Sequence, residues 1–165
     1  MHFFRTIKTG KGLRVMVSPL VFSNNFIKRA LETGVPMSPM KLQKLLYLLY
    51  ARYYARYNIQ IFANRFEKWP YGPVVSDVYV AFKGFEDKQI TTLYRDVSGN
   101  VTVADENNPE FSQCFDEVWS RYGLYSGIQL SSLTHQPGSA WRSAPEMGNF
   151  LRSEDIKADG RRFFK

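Results

Sequence analysis

The sequence offers one thiol, Cys114, and two imidazoles, His2 and His135, from which a nucleophile and its base could be built. A working Cys–His pair needs the thiolate, which nearby cations favour. Cys114 has the opposite surroundings. Glu110, Asp116 and Glu117 are close in sequence, and the residue falls near the apolar stripe of a predicted helix. Acids raise a thiol pKa, so Cys114 reads as a small buried apolar residue and no catalytic residue is assigned. There is no HExxH, no CxxC and no close His/Asp/Glu cluster, so neither a metal nor a cofactor is expected. Gly10-Lys11-Gly12 matches neither a GxxxxGK[ST] loop nor a GxGxxG turn and reads as tail. The chain is expected not to be an enzyme.

Two sets of residues point to binding. Tyrosines and arginines alternate from Tyr47 to Tyr57, a pattern that stacks on bases while arginines meet phosphates. The competing reading is that the tyrosines edge the core and the arginines reach to solvent. The second set is Trp69, Tyr71, His135, Trp141 and Arg142. Trp, Tyr and Arg are the types richest in binding hot spots, and these residues form a recognition patch if the fold brings them together.

These residues need a scaffold. A chain of 165 residues is one domain by length, and 44% hydrophobic with 16% aromatic content argues for a folded core. Of the net charge of +7, Arg5, Lys8, Lys11 and Arg14 supply four near the N-terminus, with no acid among them. Residues 1–19 therefore read as a basic N-terminal extension and 20–165 as the domain. No apolar run reaches the ~20 residues that span a bilayer, and no signal-peptide pattern opens the chain. Cytoplasmic location without membrane contact is the expectation.

The strongest element signal starts at Ser38-Pro39, an N-cap followed by proline at the first helical position. Seven apolar residues run unbroken from Leu45 to Ala51. A helix apolar all round is surrounded by protein, so a helix over 39–57, stopped by Asn58, is expected at the centre. An earlier helix fits Ser23 to Glu32. Arg65–Trp69 alternates like a strand, Tyr71-Gly72-Pro73 reads as a turn, and a helix follows over Val74–Phe82. Ile90–Leu93 and Val101–Val103 are expected to pair across Ser98-Gly99-Asn100. Further helices open at Asn108-Pro109, at Ser126 and near Ser153. The fold class is α+β, mainly helical: about six helices around the buried central one, with one or two small hairpins.

Lys41-Leu42-Gln43-Lys44-Leu45-Leu46-Tyr47, then Trp69-Pro70-Tyr71-Gly72-Pro73-Val74-Val75, then Leu133-Thr134-His135 with Trp141 a little further on, resemble the motifs of the Panacea domain. This is the SocA-like, phage-associated antitoxin domain of bacteria and phages. Together these motifs span most of residues 20–157. The resemblance implies a mainly helical domain without enzymatic activity. It also implies a cytoplasmic antitoxin that neutralises a toxin encoded beside it by direct contact.

On that reading Trp69, Tyr71, His135, Trp141 and Arg142 anchor or support the partner-binding patch. Lys41 and Lys44, placed on the polar side of the central helix, meet an acidic toxin surface. Leu42, Gln43, Leu45, Leu46, Tyr47, Gly72 and Pro73 are structural. Lys41 also has a purely structural alternative, fixing the start of the helix. Two other roles stay open: a DNA-binding autoregulator, which the charge permits although no helix-turn-helix is evident, and a proteolytic adaptor using the same surface. Homo-oligomerisation is also possible.

Overall fold

The computed structural model describes residues 2–4 and 17–165. The basic residues Arg5, Lys8, Lys11 and Arg14 and the Gly10-Lys11-Gly12 fragment lie outside the described residues.

Helix α2, Pro39–Tyr57, is the hub. Ser38 Oγ accepts the Lys41 N–H at 3.2 Å. Asn58 stops the helix in the left-handed region, at φ 54° and ψ 33°, a conformation that asparagine tolerates. Every residue from Lys41 to Ala51 is buried, as the unbroken apolar run requires. Helix α2 packs against α1 (Pro19–Thr33), α3 (Ser76–Phe82), α4 (Pro109–Tyr122), α5 (Gly127–Thr134) and, most extensively, α7 (Ser153–Arg162). The α7 contact depends on Gly160, where any Cβ would overlap the carbonyl oxygen of Ala51.

Helix α1 begins at Pro19, earlier than the expected Ser23, because Ser18 caps it and Pro19 takes the first position. Helix α4 is capped by Asn108. Helix α5 opens on a reciprocal Ser126–Gln129 capping box. Helix α6, Ala140–Ser143, was not expected; it is a single turn capped by Ser139. Among the described residues there are seven α-helices and one 3-10 turn, Lys83–Phe85.

Strand β2 (Glu67–Trp69) pairs antiparallel with β3 (Gly72–Val74), Lys68 opposite Pro73. The turn is Pro70-Tyr71, not Tyr71-Gly72-Pro73, and Val74 is strand rather than the start of α3. A side chain of α2 causes the shift. Gln43 accepts the Val75 N–H at 3.0 Å and donates to the Val75 carbonyl at 3.1 Å, which holds the chain extended up to α3.

The second expected hairpin does not form. Asn24 on α1 takes the Tyr94 N–H and donates to the Tyr94 and Thr102 carbonyls, so a side chain takes a carbonyl of one expected strand, while the Ile90 N–H of the other goes to the Met37 carbonyl. Asn25 does the same for both backbone groups of Ala104. Strand β4 (Thr102–Ala104) pairs instead in parallel with β1 (His2–Phe4). Among the described residues the result is a mainly helical α+β fold with one hairpin.

Candidate functional site

The motif at the start of α2 is a set of clamps. Lys41 Nζ donates to the Gly123 carbonyl at 2.5 Å, at the C-terminal end of α4, where a cation is favoured by the helix dipole. Lys44 is 1% exposed, and its ammonium donates to the Pro73 carbonyl at 3.2 Å. Both lysines were expected on a polar face open to a partner; both are buried. Helix α2 has no polar face there, so the lysine stems pack in the core and the heads are spent on backbone carbonyls. Leu42, Leu45 and Leu46 are fully buried. Tyr47 OH donates to Asp159 Oδ2 at 2.6 Å, and the same oxygen accepts the Ala140 N–H at 3.0 Å. Gly72 sits at φ 118°, and a Cβ there would lie 2.5 Å from Lys44 Cε and 2.8 Å from Thr134 Oγ1. Only glycine lets the hairpin close onto α2 and α5.

Above these clamps the hairpin, α5 and α6 bring Trp69, Tyr71, His135, Trp141 and Arg142 to one end of the molecule. Trp141, 7% exposed, is the brace: its Nε1 donates to the Trp69 carbonyl at 2.7 Å. His135 stacks on it with ring centroids 3.7 Å apart. Lys68 Nζ lies 4.7 Å from the Trp141 ring centroid and donates to the Ala144 carbonyl at 2.6 Å. Arg142 Nε donates to the His135 carbonyl at 3.1 Å. Around this brace the outer residues are accessible. Tyr71 is 63% exposed, its carbonyl held by Ser131 Oγ at 2.8 Å. Half-buried Trp69 donates through Nε1 to Glu67 and packs edge-on against the exposed Tyr79.

The electrostatics of this end are set by burial. Burial pulls Lys44 down to about 7. His135 is also lowered, first by burial and then by the charges of Lys44, Arg142 and Lys68, so the neutral ring is favoured. Among the described residues its enclosed Nε2 has no hydrogen-bond partner. Elsewhere, Cys114 is fully buried and its thiol is pushed up to about 11, by burial more than by its acidic neighbours, with Arg56 acting in the opposite direction. Among the described residues no group of three or more His, Cys, Asp or Glu is arranged to hold a metal. None of the described helices is long and apolar enough to cross a membrane.

The tyrosine–arginine alternation on α2 resolves as core and rim. Tyr47, Tyr50, Tyr53 and Tyr54 are buried, and Arg52 forms a two-pronged pair with Glu117 at 2.9 and 3.0 Å. Rings so enclosed do not stack on bases.

The model of the Antitoxin SocA-like, Panacea domain family matches residues 42–142, from the residue after Lys41 to the last residue of the patch. The chain belongs to this family. Antitoxin SocA of Caulobacter vibrioides (strain NA1000 / CB15N) is 28% identical over 123 residues, 72% of this chain and 65% of that relative. The match thus spans less than two thirds of the relative's length. No solved structure matches. In this Panacea domain the matched segment carries α2, the hairpin and α3 to α6, so every candidate residue but Lys41 falls inside it.

Sequence reading missed Lys68, Tyr79, Ser131 and Asp159. Lys68 was legible. In an alternating strand it shares the face of Phe66, which is 1% exposed. Ser131 and Asp159 meet their partners across long sequence separations and carry no local signal.

Proposed function

We propose that this chain is an antitoxin that neutralises a protein toxin encoded beside it by direct binding, using the end built by the hairpin, α5 and α6. Family membership supports the antitoxin role. The convergence of Trp69, Tyr71, His135, Trp141 and Arg142 on one internally braced surface supports direct contact as its means. A surface fixed before binding loses little entropy on docking. Stable interfaces draw most of their energy from a few Trp, Tyr and Arg anchors. The role asks for no catalysis. Cys114 is enclosed and its thiol is pushed up to about 11, and His135 is stacked on Trp141.

The test is co-expression with the product of the adjacent gene. Wild type restores growth and copurifies with the toxin. Tyr71→Ala, which removes a ring that is largely exposed, weakens copurification while leaving the thermal melt in place. Absence of both rescue and copurification with the wild-type chain overturns the reading.

A further inference from the structure

The charges of this end are unevenly matched. Elsewhere the acids have cations: Glu106 and Asp116 with Arg29, Glu117 with Arg52 and Arg56. Around Trp141 three cations have no such match among the described residues. Among the described residues the side chains of Lys44, Lys68 and Arg142 hydrogen-bond only to the carbonyls of Pro73, Ala144 and His135. Among the described residues no carboxylate lies within ion-pair distance of any of the three. The hairpin's one acid, Glu67, is engaged by the Trp69 indole. Arg142 is exposed, and among the described residues its two Nη groups bond to nothing in the protein.

We propose that this end receives an acidic segment of the partner, a carboxylate seating on the Arg142 guanidinium beside the His135–Trp141 stack while an apolar neighbour covers Tyr71. This inference rests on the antitoxin reading and names the chemistry of the toxin surface. Arg142 is held by one bond through Nε, which leaves the outward fork free for two parallel bonds to a carboxylate. Lys44 and Lys68 cannot touch the ligand, being 1% and 8% exposed. Lys68 adds positive potential from within a poorly solvated layer, where screening by salt is weak. A lysine-rich segment meets the same surface with repulsion, so the arrangement also selects against wrong partners.

The experiment is titration of the adjacent gene's toxin with wild type, Arg142→Lys and Arg142→Glu, at low and high salt, each variant checked by circular dichroism. We expect Arg142→Glu to weaken binding about tenfold or more, Arg142→Lys to lose less, and wild-type affinity to fall with salt. Equal affinity for wild type and a folded Arg142→Glu overturns the acidic occupant and leaves the antitoxin reading standing. If the wild-type chain binds no toxin, the antitoxin reading falls, and a second measurement decides the charge claim. Hexaglutamate and hexalysine are titrated while the Trp141 indole N–H is followed by NMR. A response to hexaglutamate alone, lost in Arg142→Glu, sustains an acidic ligand; no response, or the same response to both, overturns it.

Discussion

The imidazole of His135 lies flat on the indole of Trp141, centroids 3.7 Å apart and planes 16° from parallel, while the far edge of that indole donates to the Trp69 carbonyl at 2.7 Å. One tryptophan thus ties the end of α5, the start of α6 and the hairpin together. His135→Ala removes the stack, worth about 0.5–1.5 kcal/mol beyond buried area. The expected result is a small loss of stability in urea unfolding and a changed Trp141 fluorescence. His135→Phe restores most of the stability, because stacking needs a flat ring and not a titrating one.

Gln43 is expected to matter more for folding than its polarity suggests. It satisfies both backbone groups of Val75 in a buried position. Gln43→Leu preserves volume but orphans a donor and an acceptor, each costing about 1–3 kcal/mol. Equilibrium unfolding measures the loss; a variant as stable as wild type refutes the clamp.

Lys44 gives the protein a pH signature. Its amine is pulled down to about 7 in the fold against 10.5 in the unfolded chain. Between those values the unfolded chain holds a proton that the folded chain has released, so stability rises as pH rises. Below the lower value both states carry the proton and the buried charge is at its most costly. Stability should climb over the first unit or so above neutrality, by up to about 1.4 kcal/mol per pH unit. Lys44→Met should flatten that climb and be neutral or more stable at neutral pH, since a buried charge without a carboxylate partner is replaced by an apolar stem. Urea midpoints across the range provide the check.

Tyr47→Phe strips Asp159 of its shortest hydrogen bond and leaves that carboxylate with the Ala140 N–H at 3.0 Å and Arg162 at 3.9 Å. A hydrogen bond to a charged group is worth about 1.5–3 kcal/mol, and a loss in that range is expected. Gly160→Ala is expected to cost about 1–3 kcal/mol by overpacking, although alanine is the better helix former, because its methyl would overlap the Ala51 carbonyl. Thermal melts of the two variants separate these effects from wild type.

Cys114 should be silent toward a thiol reagent in the native state. It is fully buried, and its thiol is pushed up to about 11. Labelling is expected only in denaturant; rapid labelling of the folded protein would mean the α4 packing is wrong.

The sequence by itself determined the central helix, because Ser38, Pro39, the unbroken Leu45–Ala51 run and Asn58 are all local signals that act within a few residues of where they stand. It also determined family membership through the lysine–glutamine, Trp-Pro-Tyr-Gly-Pro and Leu-Thr-His motifs. Where each motif pointed was decided by tertiary structure. Lys41 and Lys44 read as polar surface residues, yet α4 and the hairpin supplied carbonyls that let both be buried. Ile90–Leu93 and Val101–Val103 read as a hairpin, yet Asn24 took the Thr102 carbonyl and the Met37 carbonyl took the Ile90 N–H. The patch residues were named from type alone; that His135 and Trp141 stack, and that Lys68 lies beneath them, follows from the approach of elements far apart in the chain. Hydrogen-bond partners and burial are properties of pairs, and a pair distant in sequence leaves no periodicity to read.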